Sequence, residues 1–187
     1  MAVAIMLTTF LNFYAGLSGL LAVVLAVLLA NSLGFDKVQL RNGVLSFNAL
    51  ITGIGLGTFF DPGLVFFTLL ALSSVLTLII SVAMGGWFFK YGLPFLSIPF
   101  VLAFWFIVLP SSLYENLGLT QRNIFWINEM YSVGGNSLLS IYQRIDSWEI
   151  SQWLDIYLRS LSSILFQNNL ITGIIVAIAL LISSRIF

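Results

Sequence analysis

A short apolar segment with two prolines contains the residues whose chemistry stands out first. Pro94 and Pro99 lie on either side of the hydroxyl of Ser97. If this segment is helical, each proline lacks the N–H that would bond to the carbonyl four residues before it. The carbonyls of Lys90 and Phe95 would then be open acceptors, and the Ser97 hydroxyl would extend them into a ladder. Such a row of acceptor oxygens could bind a neutral solute that carries N–H groups. The alternative is that the prolines only kink a helix.

The residue types that support most enzyme chemistry are missing or scattered. The chain has no His and no Cys, which removes the commonest metal ligand, the commonest proton shuttle and any thiolate. The acidic residues between Glu115 and Arg159 are not paired by their spacing, which favours a solvated face over a catalytic site. We find no nucleophile–base pair, no metal-ligand cluster and no phosphate-binding loop. The sequence therefore predicts neither an enzyme nor a bound cofactor.

Long uncharged gaps run through a strongly apolar chain. The 187 residues are 60% hydrophobic and 7% charged, whereas a soluble domain carries about 25% charged residues. No charge occurs in 1–35, 62–89, 91–114 or 160–184, and each gap is long enough to cross a bilayer core of about 30 Å. The sequence therefore predicts a multi-pass protein of the cell membrane (the inner membrane in a bacterium), surrounded by the lipid bilayer. Its net charge of zero gives no reason to expect a nucleic-acid partner.

Turn residues and glycines divide the first part of the chain. We expect the tail of one helix, a turn at Asn12 to Gly16, and then a full helix over 17–30. Segment 42–60 is short for a span and rich in glycine, so it predicts a half-helix followed by a short crossing helix. Gly53 and Gly57 stand one helical turn apart, which would let another helix approach closely.

The rest of the chain alternates between apolar and polar segments. Segment 64–89 predicts one long apolar helix, and its simplest interpretation is a scaffold. Segment 115–159 predicts a linker on the membrane surface, with a flexible break at 134–136 and an amphipathic helix from Ser147 onward. The last span is expected within 160–182.

The two ends of the chain read alike. Residues 2–9, AVAIMLTT, match residues 177–184, AIALLISS, in kind at every position. The hydroxyl pair that closes both runs makes a chance match less easy to accept. We infer a duplicated unit, a common way of building transporters.

Two stretches resemble the urea transporter family. Residues 43–51, GVLSFNALI, are similar to the family's G-x-x-G-F-N stretch, and residues 93–100, LPFLSIPF, are similar to its L-P-x-x-T-x-P-F signature. A weaker match joins 166–169, FQNN, to Thr172 and Gly173. The order and spacing resemble most of one family repeat followed by the first helix of the next, over nearly the whole chain.

The resemblance implies an all-α integral membrane protein. The fold would be an inverted-repeat helical bundle with short half-spanning helices, ten helices in the complete protein, assembled as a homotrimer with one pore per subunit. The chain would contain the first repeat without its start (1–114), an interfacial linker (115–159) and the first helix of the second repeat (160–187).

The same resemblance assigns residues to a pore. Phe47 and Phe166 would form a flat aromatic slot. Ile51 and Ile164 would line the path, and Ser97 would stand where the family has a threonine. The residues implied for the pore are Phe47, Ile51, Pro94, Phe95, Ser97, Pro99, Ser163, Ile164 and Phe166. Those implied for the surrounding motifs are Gly43, Asn48, Leu93, Phe100, Asn168 and Asn169.

Three serines depart from the family pattern. Ser46 replaces a glycine, Ser97 keeps the hydroxyl of a threonine, and Ser163 stands where Gln or Glu is expected at the pore mouth. The resemblance implies passive, channel-like transport of urea, a flat neutral solute that aromatic faces would admit. Ions would meet a desolvation cost that no pore charge offsets. Ser163 keeps open a different small neutral solute such as an amide, and the partial match keeps open a membrane anchor without transport.

Overall fold

Helices make up most of the described part of the chain. The structure is a computed structural model that describes residues 12–35, 43–94, 96–114, 117–120, 126–147 and 151–184. Its helices are α1 (Phe13–Ser32), α2 (Val44–Phe59), α3 (Leu64–Phe89), α4 (Ile98–Val108, extended by the 3₁₀ turn Leu109–Leu113), α5 (Trp126–Asp146), α6 (Gln152–Ser163) and α7 (Leu170–Ser184). The all-α class predicted from the sequence is confirmed for these residues. Residues 2–9, one half of the predicted repeat, lie outside the described ranges.

The first described helix starts earlier than the sequence predicts. The side-chain oxygen of Asn12 accepts the N–H of Ala15 at 3.1 Å, and its carbonyl accepts the N–H of Gly16 at 2.9 Å. Asn12 therefore caps α1, as asparagine commonly does at a helix start. The predicted turn at Asn12 to Gly16 is wrong, because Gly16 lies inside the first turns of the helix.

Segment 42–60 forms one helix rather than two pieces. α2 runs without a break over Val44–Phe59, so the predicted half-helix followed by a crossing helix is wrong. Gly53 lets α1 pack closely on α2, because a Cβ there would lie 2.6 Å from Ala22 Cβ and 2.7 Å from the Ser18 carbonyl oxygen of α1. The Ser18 hydroxyl also donates to the Gly53 carbonyl at 2.8 Å. The predicted close approach of a second helix at Gly53 is confirmed.

α3 has the predicted bounds and an unpredicted polar face. It runs over Leu64–Phe89 and is capped at Lys90. Four hydroxyl residues at helical spacing, Ser73, Ser74, Thr77 and Ser81, are almost completely buried. Thr77 and Thr52 of α2 share a hydrogen bond at 3.2 Å between their hydroxyl oxygens. The helix therefore buries apolar side chains in its first turns and mainly hydroxyl side chains after them; its role as a scaffold stays a prediction.

An extended segment ties the end of α2 to the chain that follows α4. The Gly118 carbonyl accepts the N–H of Asp61 at 2.9 Å, and the Phe59 carbonyl accepts the N–H of Thr120 at 2.9 Å. Phe60 and Leu119 form the isolated antiparallel bridge between these bonds. The bonds close a unit in which α2, α3 and α4 pack on one another in pairs.

The last described helices differ from the predicted single span. α5 contains a break at Gly135, whose φ of 60° and ψ of −156° are not helical, so the break predicted at 134–136 is confirmed, while its flexibility stays a prediction. The amphipathic helix predicted from Ser147 onward appears as α6, with Ser151 before its first residue. A span over 160–182 is wrong, because α6 ends at Ser163 and α7 begins only at Leu170.

The described residues group into two compact units. One unit is Leu17–Thr120, and the other combines the described parts of Met1–Gly16 and Gln121–Phe187. The boundaries predicted after residues 114 and 159 stay predictions. Two helices have the length and hydropathy needed to cross a membrane: α1, with 20 residues, and α3, with 26 residues.

Candidate solute-permeation site

A long-range hydrogen bond connects α2 to the segment before α4. The Asn48 side-chain N–H donates to the Leu96 carbonyl at 3.3 Å, and Asn48 is 1% exposed. The Asn48 carbonyl in turn accepts the hydroxyl of Thr52 at 2.8 Å. The bond is made within the unit Leu17–Thr120, so the two segments with the strongest family resemblance meet there.

α2 places its two predicted pore residues differently. Phe47 is 38% exposed, whereas Ile51, one turn later, is 1% exposed. Gly43 precedes the helix with a φ of 72°. Phe47 therefore lies at the surface of its unit, and Ile51 is packed inside it.

The proline-containing segment is not an interrupted helix. After α3, Tyr91 to Pro94 and Leu96 to Ser97 are turns or unassigned chain, and Pro99 is the second residue of α4. The first four N–H groups of a helix have no partner within it, so a proline there releases no helical carbonyl. The prolines therefore do not act as predicted. The Leu96 carbonyl is occupied by the Asn48 side-chain N–H, and Leu93 and Pro94 lie in a non-helical stretch after α3.

The remaining residues of this segment lie at the start of α4. Ser97 is half-buried before the first helical residue, and its carbonyl accepts the N–H of Val101 at 3.1 Å. Pro99 is buried. Phe100 packs its ring against Phe104, with ring centroids 6.0 Å apart. Phe95 lies outside the described residues.

The third family-like stretch forms the turn between α6 and α7. Ser163 is exposed and its hydroxyl donates to the Ser160 carbonyl at 2.7 Å. Ile164 is 53% exposed. Phe166 is half-buried and has a φ of 57°, in the left-handed region. The turn presents apolar and aromatic side chains on a constrained backbone.

Asparagine and glutamine side chains hold that turn to the first residues of α7. The Asn169 side-chain oxygen accepts the N–H of Thr172 at 2.7 Å, which makes Asn169 an N-cap, while Asn168 is exposed. The Gln167 side-chain oxygen accepts the Thr172 hydroxyl at 2.6 Å and the Asn169 amide at 3.3 Å. The sequence placed Gln167 in the FQNN match but predicted no role for it; the available signal was Asn169, a residue type that commonly caps a helix, before the apolar run of α7.

The buried hydroxyl face of α3 was also missed. The spacing of Ser74, Thr77 and Ser81 by three and four residues within an apolar helix was the available signal. Among the described residues, no group of three or more His, Cys, Asp or Glu residues comes close enough together to hold a metal ion.

Comparison with known families identifies the chain. A family model described as "Urea transporter" matches residues 2–187. The chain belongs to the urea transporter family. No curated protein matches it.

Membership in the urea transporter family fixes the general character of the chain. The family is one of membrane transporters, not of enzymes, and its substrate is urea. The apolar helices α1 and α3 are consistent with that membrane location. The Asn48–Leu96 hydrogen bond lies within the range of residues that the family model matches.

Proposed function

We propose that the chain forms part of a passive, channel-like path for urea across the cell membrane. The observation that supports this most is the bond from Asn48 to the Leu96 carbonyl, which joins the Phe47 end of α2 to the Ser97 end of α4. An exposed aromatic ring and a half-buried hydroxyl then belong to connected elements of one unit. These are the two kinds of group that a flat, polar solute requires.

The chemistry of the solute matches these groups. Urea has N–H bonds and a carbonyl, and losing a water hydrogen bond without replacement costs several kcal/mol per polar group. The Ser97 hydroxyl can donate or accept, and the carbonyls of Leu93 and Pro94 precede the helical part of α4. The flat face of Phe47 can stack on a planar solute. The N–H and carbonyl groups of that solute point outward in its plane, so they stay free to form hydrogen bonds.

The absence of charge gives the path its selectivity against ions. Neither Val44–Phe59 nor Ile98–Val108 contains a charged residue. A desolvated ion in an apolar region without a counter-charge is strongly disfavoured. A neutral solute therefore passes where sodium and chloride do not.

Stopped-flow light scattering on proteoliposomes tests the proposal. We expect the full protein carrying this chain to accelerate urea entry and Asn48→Leu to slow it, because the variant detaches Leu96 from α2. Thr68→Val is the matched control, since the exposed Thr68 hydroxyl bonds only within its own helix, to Val65. Urea entry no faster than in protein-free liposomes would exclude transport and favour a membrane anchor.

Ser163 favours a second candidate solute. Its hydroxyl is committed to the Ser160 carbonyl, so it offers a solute less than the Gln or Glu expected from the family pattern. A small amide such as acetamide, with fewer N–H groups than urea, would need fewer partners at that position. A solute panel in the same assay separates the two, because an acetamide rate above the urea rate would favour the amide.

The assembly proposed for the complete protein is a homotrimer of inverted-repeat subunits, with one pore in each subunit. Its support is the family membership together with the match in kind between residues 2–9 and 177–184. Native mass spectrometry of the detergent-purified protein should give a complex of three copies. A monomer at every detergent concentration would contradict it.

A further inference from the structure

Three of the described helices end in the same hydrogen-bonded motif. In each, one backbone N–H donates to the carbonyl three residues earlier, and the next N–H donates to the carbonyl five residues earlier. This is the Schellman pattern. The bonds are Gly34 to Asn31 (3.2 Å) and Phe35 to Ala30 (3.0 Å), Gly92 to Phe89 (3.1 Å) and Leu93 to Phe88 (3.2 Å), and Phe166 to Ser163 (2.9 Å) and Gln167 to Ser162 (3.3 Å).

One of the three ends places an aromatic residue where the motif favours glycine. The left-handed position has a φ of 74° at Gly34, 65° at Gly92 and 57° at Phe166. Glycine adopts this conformation without a steric penalty, whereas a bulky side chain there is an outlier. The sequence uses glycine at two ends and keeps a strained phenylalanine at the third, so something next to Phe166 must hold the turn.

The buried amides beside Phe166 provide that restraint. The Gln167 side-chain oxygen accepts the Thr172 hydroxyl at 2.6 Å and the Asn169 amide at 3.3 Å. Gln167, Asn169 and Thr172 are 9%, 6% and 0% exposed. Because the Gln167 N–H also completes the motif at Ser162, this residue links the end of α6 to the first turn of α7 through both backbone and side chain.

The packing of α6 on α7 prevents the turn from relaxing by a helix shift. A Cβ at Gly173 would overlap the Leu158 carbonyl oxygen of α6, so the two helices are in contact at backbone distance. A rotation at Phe166 must therefore break the Gln167 bonds or separate the helices.

We propose that Gln167 is a positioning residue for solute selection: it holds Phe166 in the left-handed conformation and so fixes where the aromatic ring meets the solute. The role of Phe166 as a slot residue rests on the proposed function, whereas the restraint of the turn does not. Gln167 itself is 9% exposed. It acts only through Phe166.

Thermal stability tests the restraint without any transport measurement. Phe166→Gly should melt about 2–4 °C above Phe166→Ala, because only glycine is free of left-handed strain. Gln167→Leu should lower the melting temperature less in the Phe166→Gly background than in the parent, since glycine needs no restraint. Equal melting of the Gly and Ala variants, or equal losses in both backgrounds, would overturn the restraint.

Selectivity tests the positioning role. Gln167→Leu should reduce the ratio of urea to N,N′-dimethylurea permeability by about fivefold or more, since release of left-handed strain shifts a conformational ratio by about that factor. Gly34→Ala is the control: it strains the same motif with nothing within 4 Å of the new Cβ, so it should lower the melting temperature and leave the ratio unchanged.

An unchanged ratio in Gln167→Leu would overturn the positioning role. A parent protein that passes neither solute would refute the proposed function and, with it, the selectivity role, while the melting comparison would still decide the restraint.

Discussion

Replacing Gly53 by alanine tests how α1 and α2 are held together. Gly53 sits where a Cβ would lie 2.6 Å from Ala22 Cβ, 2.7 Å from the Ser18 carbonyl and 2.9 Å from Gly19 Cα. Real Cβ atoms do not approach this closely, and two of the three atoms are backbone. The added methyl must therefore push the two helices apart, because no flexible side chain can move aside.

The expected loss follows from three contributions. Overpacking a tight contact costs about 1–3 kcal/mol. Separating the helices also stretches the bond from the Ser18 hydroxyl to the Gly53 carbonyl, now 2.8 Å, a loss of about 1 kcal/mol. Alanine recovers about 1 kcal/mol through its better helix propensity. Gly53→Ala should therefore destabilise the protein by about 1–3 kcal/mol.

Gly86→Ala is the matched control in α3. A Cβ at Gly86 meets nothing within 4 Å, so only the helix-propensity gain remains, about 0.5–1 kcal/mol of stabilisation. Thermal unfolding of both variants in the same detergent gives the comparison. If Gly53→Ala is as stable as Gly86→Ala, α1 and α2 do not pack as described.

Two further substitutions probe the buried polar groups. Asn48→Leu should cost about 1–2 kcal/mol, because the Leu96 carbonyl loses its donor; unchanged unfolding would show that the bond does not hold the segment. Ser81→Ala should be neutral or stabilising, since the buried Ser81 hydroxyl has no hydrogen-bond partner among the described residues. Thr77→Val is its counterpart and should cost about 1 kcal/mol, because the Thr77 hydroxyl bonds to Thr52 and Ser73. A larger loss at Ser81 than at Thr77 in thermal unfolding would contradict both assignments.

The helices that the sequence predicted best are those set by local properties. Leu64–Phe89 follows from an uncharged apolar run between Asp61 and Lys90, and the structure has those bounds. Helix starts were harder. Asn12 and Asn169 both cap helices, yet in an apolar sequence an asparagine also reads as a turn or as part of a longer span. Capping depends on the backbone geometry of the next three residues, which composition does not reveal.

The interrupted-helix interpretation of α2 failed for a tertiary reason. Glycine lowers intrinsic helix stability, so Gly53 favoured a break. The helix persists because α1 packs directly on that glycine. Pro99 was predicted to interrupt a helix. It lies instead in the first turn of α4, where a proline is compatible with the helix.

The resemblance identified the segments of the candidate site but not their contacts. Asn48 and Leu96 are far apart in sequence, and no periodicity predicts that an amide of one helix reaches that particular carbonyl. The roles of Phe47, Ile51, Ser97, Ser163 and Phe166 stay predictions. The strained backbone of Phe166 is visible only in the structure, because its helix end lacks the glycine that marks such turns.

The most direct test is the urea permeability of proteoliposomes that contain the full protein, with and without an imposed proton or sodium gradient. A passive path for a neutral solute predicts urea flux well above that of protein-free vesicles, the same flux under every gradient, and no added chloride flux. A flux equal to that of empty vesicles, or one that depends on an ion gradient, would contradict it.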